Sequence, residues 1–203
     1  DAARNRSADV ILNNQLERIM SILTKIAAAL SATTLAACAH SGATLGSSAP
    51  SANANAVVMN PTGERLGTAT FSQDAGGTVH IHMKLTGLMP GVHGVHIHAV
   101  GACVAPAFAS AGGHFNPQSK HHGLNNAAGP HAGDLPNLTV DASGNADYEA
   151  RTSRVSLTPG VNSLFDADGS ALVVHATADD NMTDPAGNAG ARVACGEIKS
   201  GTA

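Results

Sequence analysis

Between residues 91 and 134 the sequence gathers His96, His98, His114, His122, His131 and Asp134 into a run punctuated by glycine and proline. The blocks are GVHGVHIH (residues 91–98), GGHFNP (112–117), KHHG (120–123) and GPHAGD (129–134). In an extended strand, side chains two apart share a face about 6 to 7 Å apart along the backbone, so His96 and His98 can grip one ion. His114 follows after 15 intervening residues, with His122, His131 and Asp134 within the next 20, in a stretch without helical or strand periodicity. A loop of that length usually has a function or a cross-link. Three imidazoles and a carboxylate suit tetrahedral zinc. His96, His98 and the distant His175, which closes the apolar run Ala171-Leu172-Val173-Val174, offer instead an all-imidazole set of the kind that favours copper.

These side chains need a scaffold, and the composition points to one made of strands. Aromatic residues are 2% of the chain, tryptophan is absent, and 22 glycines accompany many small apolar residues. This suits short strands and tight turns in an all-β sandwich or barrel. Alternation predicts eight strands near 55–60, 65–73, 78–86, 93–99, 136–141, 146–152, 171–175 and 192–198. The turns between neighbours fall at Asn60-Pro61-Thr62-Gly63, Asp74-Ala75-Gly76-Gly77, Met89-Pro90-Gly91 and Asp141-Ala142-Ser143-Gly144.

With those residues in view, the sequence from about Val57 to Ile198 resembles the copper/zinc superoxide dismutases of the bacterial secreted type. The likeness rests on the H-x-H strand, GGHFNP, the H-x-x-D pair, the VVH strand and the block GNAGARVACG at residues 187–196. The resemblance implies an eight-stranded Greek-key barrel with long metal-binding and active-site loops, two cofactors, copper and zinc, and superoxide as the substrate. It also implies copper ligands at His96, His98, His114 and His175 and zinc ligands at His114, His122, His131 and Asp134, with His114 catalytic and shared. Arg192 matches an arginine that the family sets beside copper, and Asp179 a carboxylate linking ligands of the two sites. Val95 departs from the family, many of whose members carry phenylalanine there. His121 adjoins His122 and leaves the zinc assignment ambiguous by one residue; His122 is preferred because it directly precedes glycine.

Residues 1–37 read as an N-terminal extension and leader, with translation starting at Met20, Lys25 in a short cationic region and a small-residue apolar stretch from Ile26 to Ala37. About a dozen residues is too short for a permanent span. The stretch ends in Leu35-Ala36-Ala37-Cys38, which resembles a bacterial lipobox with Cys38 lipidated; an ordinary signal peptide cut nearby is the alternative. Residues 38–54 read as a flexible tether and 55–203 as the enzyme domain. Localisation is then the periplasm or cell envelope, with a lipid anchor to the membrane. Assigning Cys38 to lipid leaves Cys103 and Cys195 to pair in an oxidising compartment, or else as two buried thiols. Such a bridge would contribute about 4 to 5 kcal/mol in the chain-entropy model. Without residues 1–37 the chain has 7 lysines and arginines against 12 acidic residues, a net charge of −5, which argues against nucleic acid as a partner. A homodimer is left open.

Eleven histidines alone would also suit a protein that stores or delivers metals. His80 and His82 form a second H-x-H, but Val79, Ile81 and Met83 alternate with them, so both histidines should face solvent. His93 is expected to make a structural hydrogen bond and His121 to be a solvated neighbour. Arg192 taken alone could be an ordinary surface cation, and Asp179 an ordinary loop acid. A metal store would have no use for Arg192, and a catalytically dead adhesion sandwich no use for seven ligand positions.

Overall fold

Three turns of the protein share one sequence device. In the computed structural model, which describes residues 52–201, Asn60, Asp74 and Asp141 each begin a turn that ends three residues later at a glycine. The side-chain Oδ1 of each accepts two backbone N–H groups: Thr62 and Glu64, Gly76 and Thr78, or Ser143 and Asn145, all at 2.8 to 3.0 Å. Gly63, Gly77 and Gly144 donate back to the carbonyls of Asn60, Asp74 and Asp141. Each has φ between +81° and +87°, a conformation costly for any residue with a Cβ.

These turns order β1 (Asn53–Met59), β2 (Arg65–Gln73), β3 (Val79–Leu85), β4 (Gly91–His93), β5 (Val95–His98), β6 (Leu138–Val140), β7 (Ala146–Thr152), β8 (Ser170–His175) and β9 (Arg192–Ser200). All pairings between these strands are antiparallel. Seven strands form a curled sheet in the order β5-β8-β9-β1-β2-β3-β7, and β4 and β6 form a two-stranded sheet. The expected all-β class is what the chain adopts. The predicted strand 93–99 is divided at Gly94, which donates to Thr177 O and accepts from His175 N, so β4 pairs with β6 while β5 pairs with β8. β1 also begins earlier than the predicted 55, because Ala54 is buried and pairs with Phe71.

The chain divides into two units, Asp1–Gly46 and Ser47–Ala203. The expected leader, the start at Met20, Cys38 and most of the tether lie outside the described residues.

Alternation builds one core from the inward faces: Phe71, Ile81, Met83, Leu85, Ile97, Leu138 and Leu172 are all at most 2% exposed. Removing each of these from water stabilises the fold by roughly 1.5 to 3 kcal/mol. The barrel's single tyrosine, Tyr148 on β7, is buried in this core and donates its hydroxyl to Pro136 O at 2.8 Å, beside β6. Every residue of β8 is buried. Leu172 and Val174 face the main core, while Ala171 and Val173 pack on the other side with Phe108, Ala111 and Cys195. That second cluster lies under the loop following β5, which Cys103–Cys195 ties to β9, with Cα atoms 5.7 Å apart.

A histidine-rich candidate metal centre

The same parity that sends Val95 and Ile97 inward sends His96 and His98 to the outer face of β5, where the loops cover them; both are at most 1% exposed. His175 comes from the end of β8 at an irregularity in its pairing with β9. His114 is held from the opposite side through a bridge between its backbone and that of His98. One ligand nitrogen from each of His96, His98, His114 and His175 lies within 4.8 Å of the other three.

One nitrogen of each ring is already tied. His96 Nε2 is 2.7 Å from Asp179 Oδ2, His98 Nδ1 2.9 Å from Gly112 O, His175 Nδ1 3.1 Å from Gly190 O, and His114 Nδ1 2.9 Å from Asp134 Oδ1. The other nitrogens are the revealing ones. His96 Nδ1 and His114 Nε2 are buried without a hydrogen-bond partner among the described residues, and His98 Nε2 and His175 Nε2 face each other at 3.4 Å. Leaving a buried polar atom unpaired costs about 1 to 3 kcal/mol, so the arrangement is explained by something that accepts all four lone pairs. Burial holds His96 and His175 down at about 4 and His98 at about 2, so those three rings are neutral donors at neutral pH.

A second set shares His114. Asp134 Oδ1 lies 2.9 Å from His114 Nδ1, 3.1 Å from His122 Nδ1 and 3.3 Å from His131 Nδ1. Asp134 Oδ2 accepts the backbone N–H groups of Gly123 and His131, both at 2.9 Å. By mutual distance alone, His96 also falls in a group with His114, His122 and Asp134. Its one unpartnered nitrogen, Nδ1, belongs to the first group, however, whereas His131 Nδ1 lies 3.3 Å from both Asp134 Oδ1 and His114 Nδ1. His131 is therefore the better fourth member. Burial opposes a charge on His122, but hydrogen bonds to Asp134 and Asp179 outweigh it and raise that ring to about 9. Asp134 and Asp179 sit well below the usual carboxylate range despite their burial, through hydrogen bonds from His114 and His122 to Asp134, and from His122 and His96 to Asp179.

Asp179 spans the two sets, with Oδ1 3.0 Å from His122 Nε2 and Oδ2 on His96. Gly187 makes room for it: a Cβ there would fall 1.7 Å from Asp179 Oδ1 and 2.7 Å from His122 Nε2. Arg192, half-buried, donates from Nη1 to Phe108 O at 2.6 Å and from Nη2 to Gly112 O at 2.5 Å. Gly112 O thus serves both His98 and Arg192. A groove of about 500 Å³ opens against Arg192, lined otherwise by Pro106, Ala107, Ala109, Gly190 and Ala191.

The eleven candidate residues that the sequence offers for the site and its disulfide within the described part are thereby brought together. His121 is not: its exposed ring turns outward onto Asp184. His93 Nδ1 lies 2.8 Å from His175 O, a structural bond beside the site. Three supporting residues escaped the sequence reading. Asp184 accepts His122 N–H at 2.5 Å, Arg154 donates to Asp134 O at 2.5 Å, and Asn137 exchanges hydrogen bonds of 2.8 and 2.9 Å with the Asp179 backbone. None of the three carries a local sequence signal that points to this site.

The geometry gathers His96, His98, His114 and His175 into one buried group and sets His114, His122 and His131 around Asp134 beside it, on an all-β fold. Residues 65–198 match the family described as copper/zinc superoxide dismutase (SODC), and the chain belongs to that family. It is 46% identical over 147 residues to "Superoxide dismutase [Cu-Zn] 1" of Aquifex aeolicus, covering 71% of this chain and 86% of the relative. Among solved structures, the SOD-like protein from Bacillus subtilis superposes with a TM-score of 0.68 at 42% identity, covering 70% of this chain and 95% of that one. The Cu/Zn superoxide dismutase from Brucella abortus gives a TM-score of 0.59 at 29% identity, covering 72% and 99%.

Proposed function

We propose that the protein dismutates superoxide, two superoxide anions and two protons giving oxygen and hydrogen peroxide, in the bacterial cell envelope. The residues fit the family's two metals. His96 Nδ1, His98 Nε2, His114 Nε2 and His175 Nε2 would hold copper. Nδ1 of His114, His122 and His131 with Asp134 Oδ1 would hold zinc, in the donor set that zinc prefers. His114 is then the bridging ligand. Bound copper would supply a one-electron redox couple, and bound zinc a fixed charge that orders the loop.

Everything else falls to the chain itself. Two of the five guanidinium N–H groups of Arg192 are spent on carbonyls, which fixes the plane of the group and leaves three to hold a small anion entering the groove. His114 Nε2 is buried without a protein partner among the described residues, which leaves its lone pair for the ion. Asp179 holds His96 and His122 in orientation from behind, a role that commonly decides metal affinity. Export is supported by the Cys103–Cys195 bridge, since disulfides persist in oxidising compartments. Anchoring through lipid on Cys38 is supported by the Leu35-Ala36-Ala37-Cys38 box.

The observation that carries the proposal is the carbonyl shared by Arg192 and His98, because a metal store gains nothing from a cation seated beside its ligands. In a superoxide-consumption assay, protein loaded with both metals should be active and the apo form inactive. Arg192→Glu should slow the loaded protein by about an order of magnitude or more at unchanged metal content. Equal rates at equal copper occupancy would remove Arg192 from the reaction and favour a metal-binding protein.

A further inference from the structure

The second H-x-H, His80 and His82 on β3, is left unused by that site and lies elsewhere in the sheet: β3 is second from one edge, β5 is the other edge. Both rings stand on the outer face, about one-third to two-fifths exposed. Each has its Nε2 on a carboxylate, at 2.9 Å to Asp74 Oδ2 for His80 and 2.8 Å to Asp147 Oδ1 for His82. The carboxylates are themselves fixed, Asp74 by the N–H groups of Gly76 and Thr78 and Asp147 by Lys84 at 3.1 Å. This is how His96 is held on Asp179: the tied nitrogen carries the proton and the other, Nδ1, keeps a lone pair. Neither Nδ1 has a hydrogen bond among the described residues.

The two rings border a cleft of about 170 Å³ with Thr70, Ser72, Glu149 and Arg151. Across the sheet His82 pairs directly with Glu149, and His80 with Arg151. The Glu149 carboxylate has no ion pair or hydrogen bond among the described residues. The cleft is therefore bordered by two imidazoles and an unused carboxylate, with Arg151 as the opposing charge.

We propose that His80, His82 and Glu149 form a third, exposed cation site that takes a divalent transition metal, copper(II) in preference to nickel or zinc. The donors do not converge as the buried sets do. Exposed side chains must rotate to close on the ion, so this site binds more weakly and exchanges faster than the buried ones. It would capture copper at the surface, on the side of Glu149 and away from Arg151.

The test uses full-length protein already carrying its copper and zinc, dialysed to equilibrium against copper(II) in a weakly competing buffer. The wild type should take up one more copper(II) per chain than the His80→Gln/His82→Gln double variant. Each single histidine variant should weaken this uptake about tenfold or more, and Glu149→Gln by several-fold. Arg151→Gln, which removes the opposing charge, should tighten it. Superoxide consumption should be the same in all variants. Equal extra copper in the wild type and the double variant would overturn the proposal, as would an Arg151→Gln variant with unchanged affinity.

Discussion

Every candidate copper imidazole is gripped at one nitrogen by a group outside the metal set or in the neighbouring one: Asp179, Gly112 O, Gly190 O or Asp134. The tautomer and the ring plane are therefore decided before any ion arrives. For His121 and His122, adjacent in sequence, the outcome is opposite: His122 is fully buried between Asp134 and Asp179, while His121 is 63% exposed. His122→Ala should lose zinc and retain copper when both are counted by elemental analysis, and His121→Ala should retain both; the reverse would mean that the register of the loop is misread. The neutral rings bear on the apo protein as well. His96, His98 and His175 have folded values depressed from about 6.5 to about 4, 2 and 4. Below pH 6.5 the unfolded chain binds protons that the folded one refuses, so stability falls with falling pH until the folded values are passed. The melting temperature of apo protein should drop steadily between pH 6.5 and about 4. Substituting all three histidines with glutamine should flatten that slope.

At the scale of elements, two loops are fastened to each other across the site. Asp184, in the loop before β9, accepts the His122 backbone N–H with one oxygen and pairs with the His121 ring through the other. Asn125 N–H bonds to Asn181 O close by. The carboxylate therefore fixes which of two neighbouring histidines turns inward. Asp184→Ala should weaken zinc binding about ten- to a hundredfold in competition with a chelator, leaving copper in place. Asp184→Asn, which keeps an acceptor for His122 N–H, should lose less, and an unchanged zinc affinity in Asp184→Ala would reduce the contact to surface decoration. None of this could be read from the sequence, because the partners are about 60 residues apart and sit in segments without periodicity. The H-x-H of β5 could be read, since strand geometry alone puts both rings on one face. The division at Gly94 could not, because it depends on where Thr177 and His175 lie in space.

For the molecule as a whole, alternation and turn chemistry made most of the sheet legible. Asn60, Asp74 and Asp141, each three residues before a glycine, marked three turns, and the apolar faces between them marked the core. What alternation could not reveal was how β8 is covered on both sides, because that cover is a loop pinned by a disulfide. The sparse aromatic content has a practical outcome in optics. With no tryptophan and one tyrosine, the protein's emission at wavelengths beyond the phenylalanine range comes from Tyr148. That ring is 5% exposed on β7 and bonded to Pro136 O, next to β6, so its light reports on the seam where the two-stranded sheet meets the larger one. Because Tyr148 shares a core with Phe71 and Leu172, its emission and the far-ultraviolet circular dichroism of the sheet should change together in a urea titration. An emission change that runs ahead of the dichroism would show the seam parting while the rest of the barrel still stands.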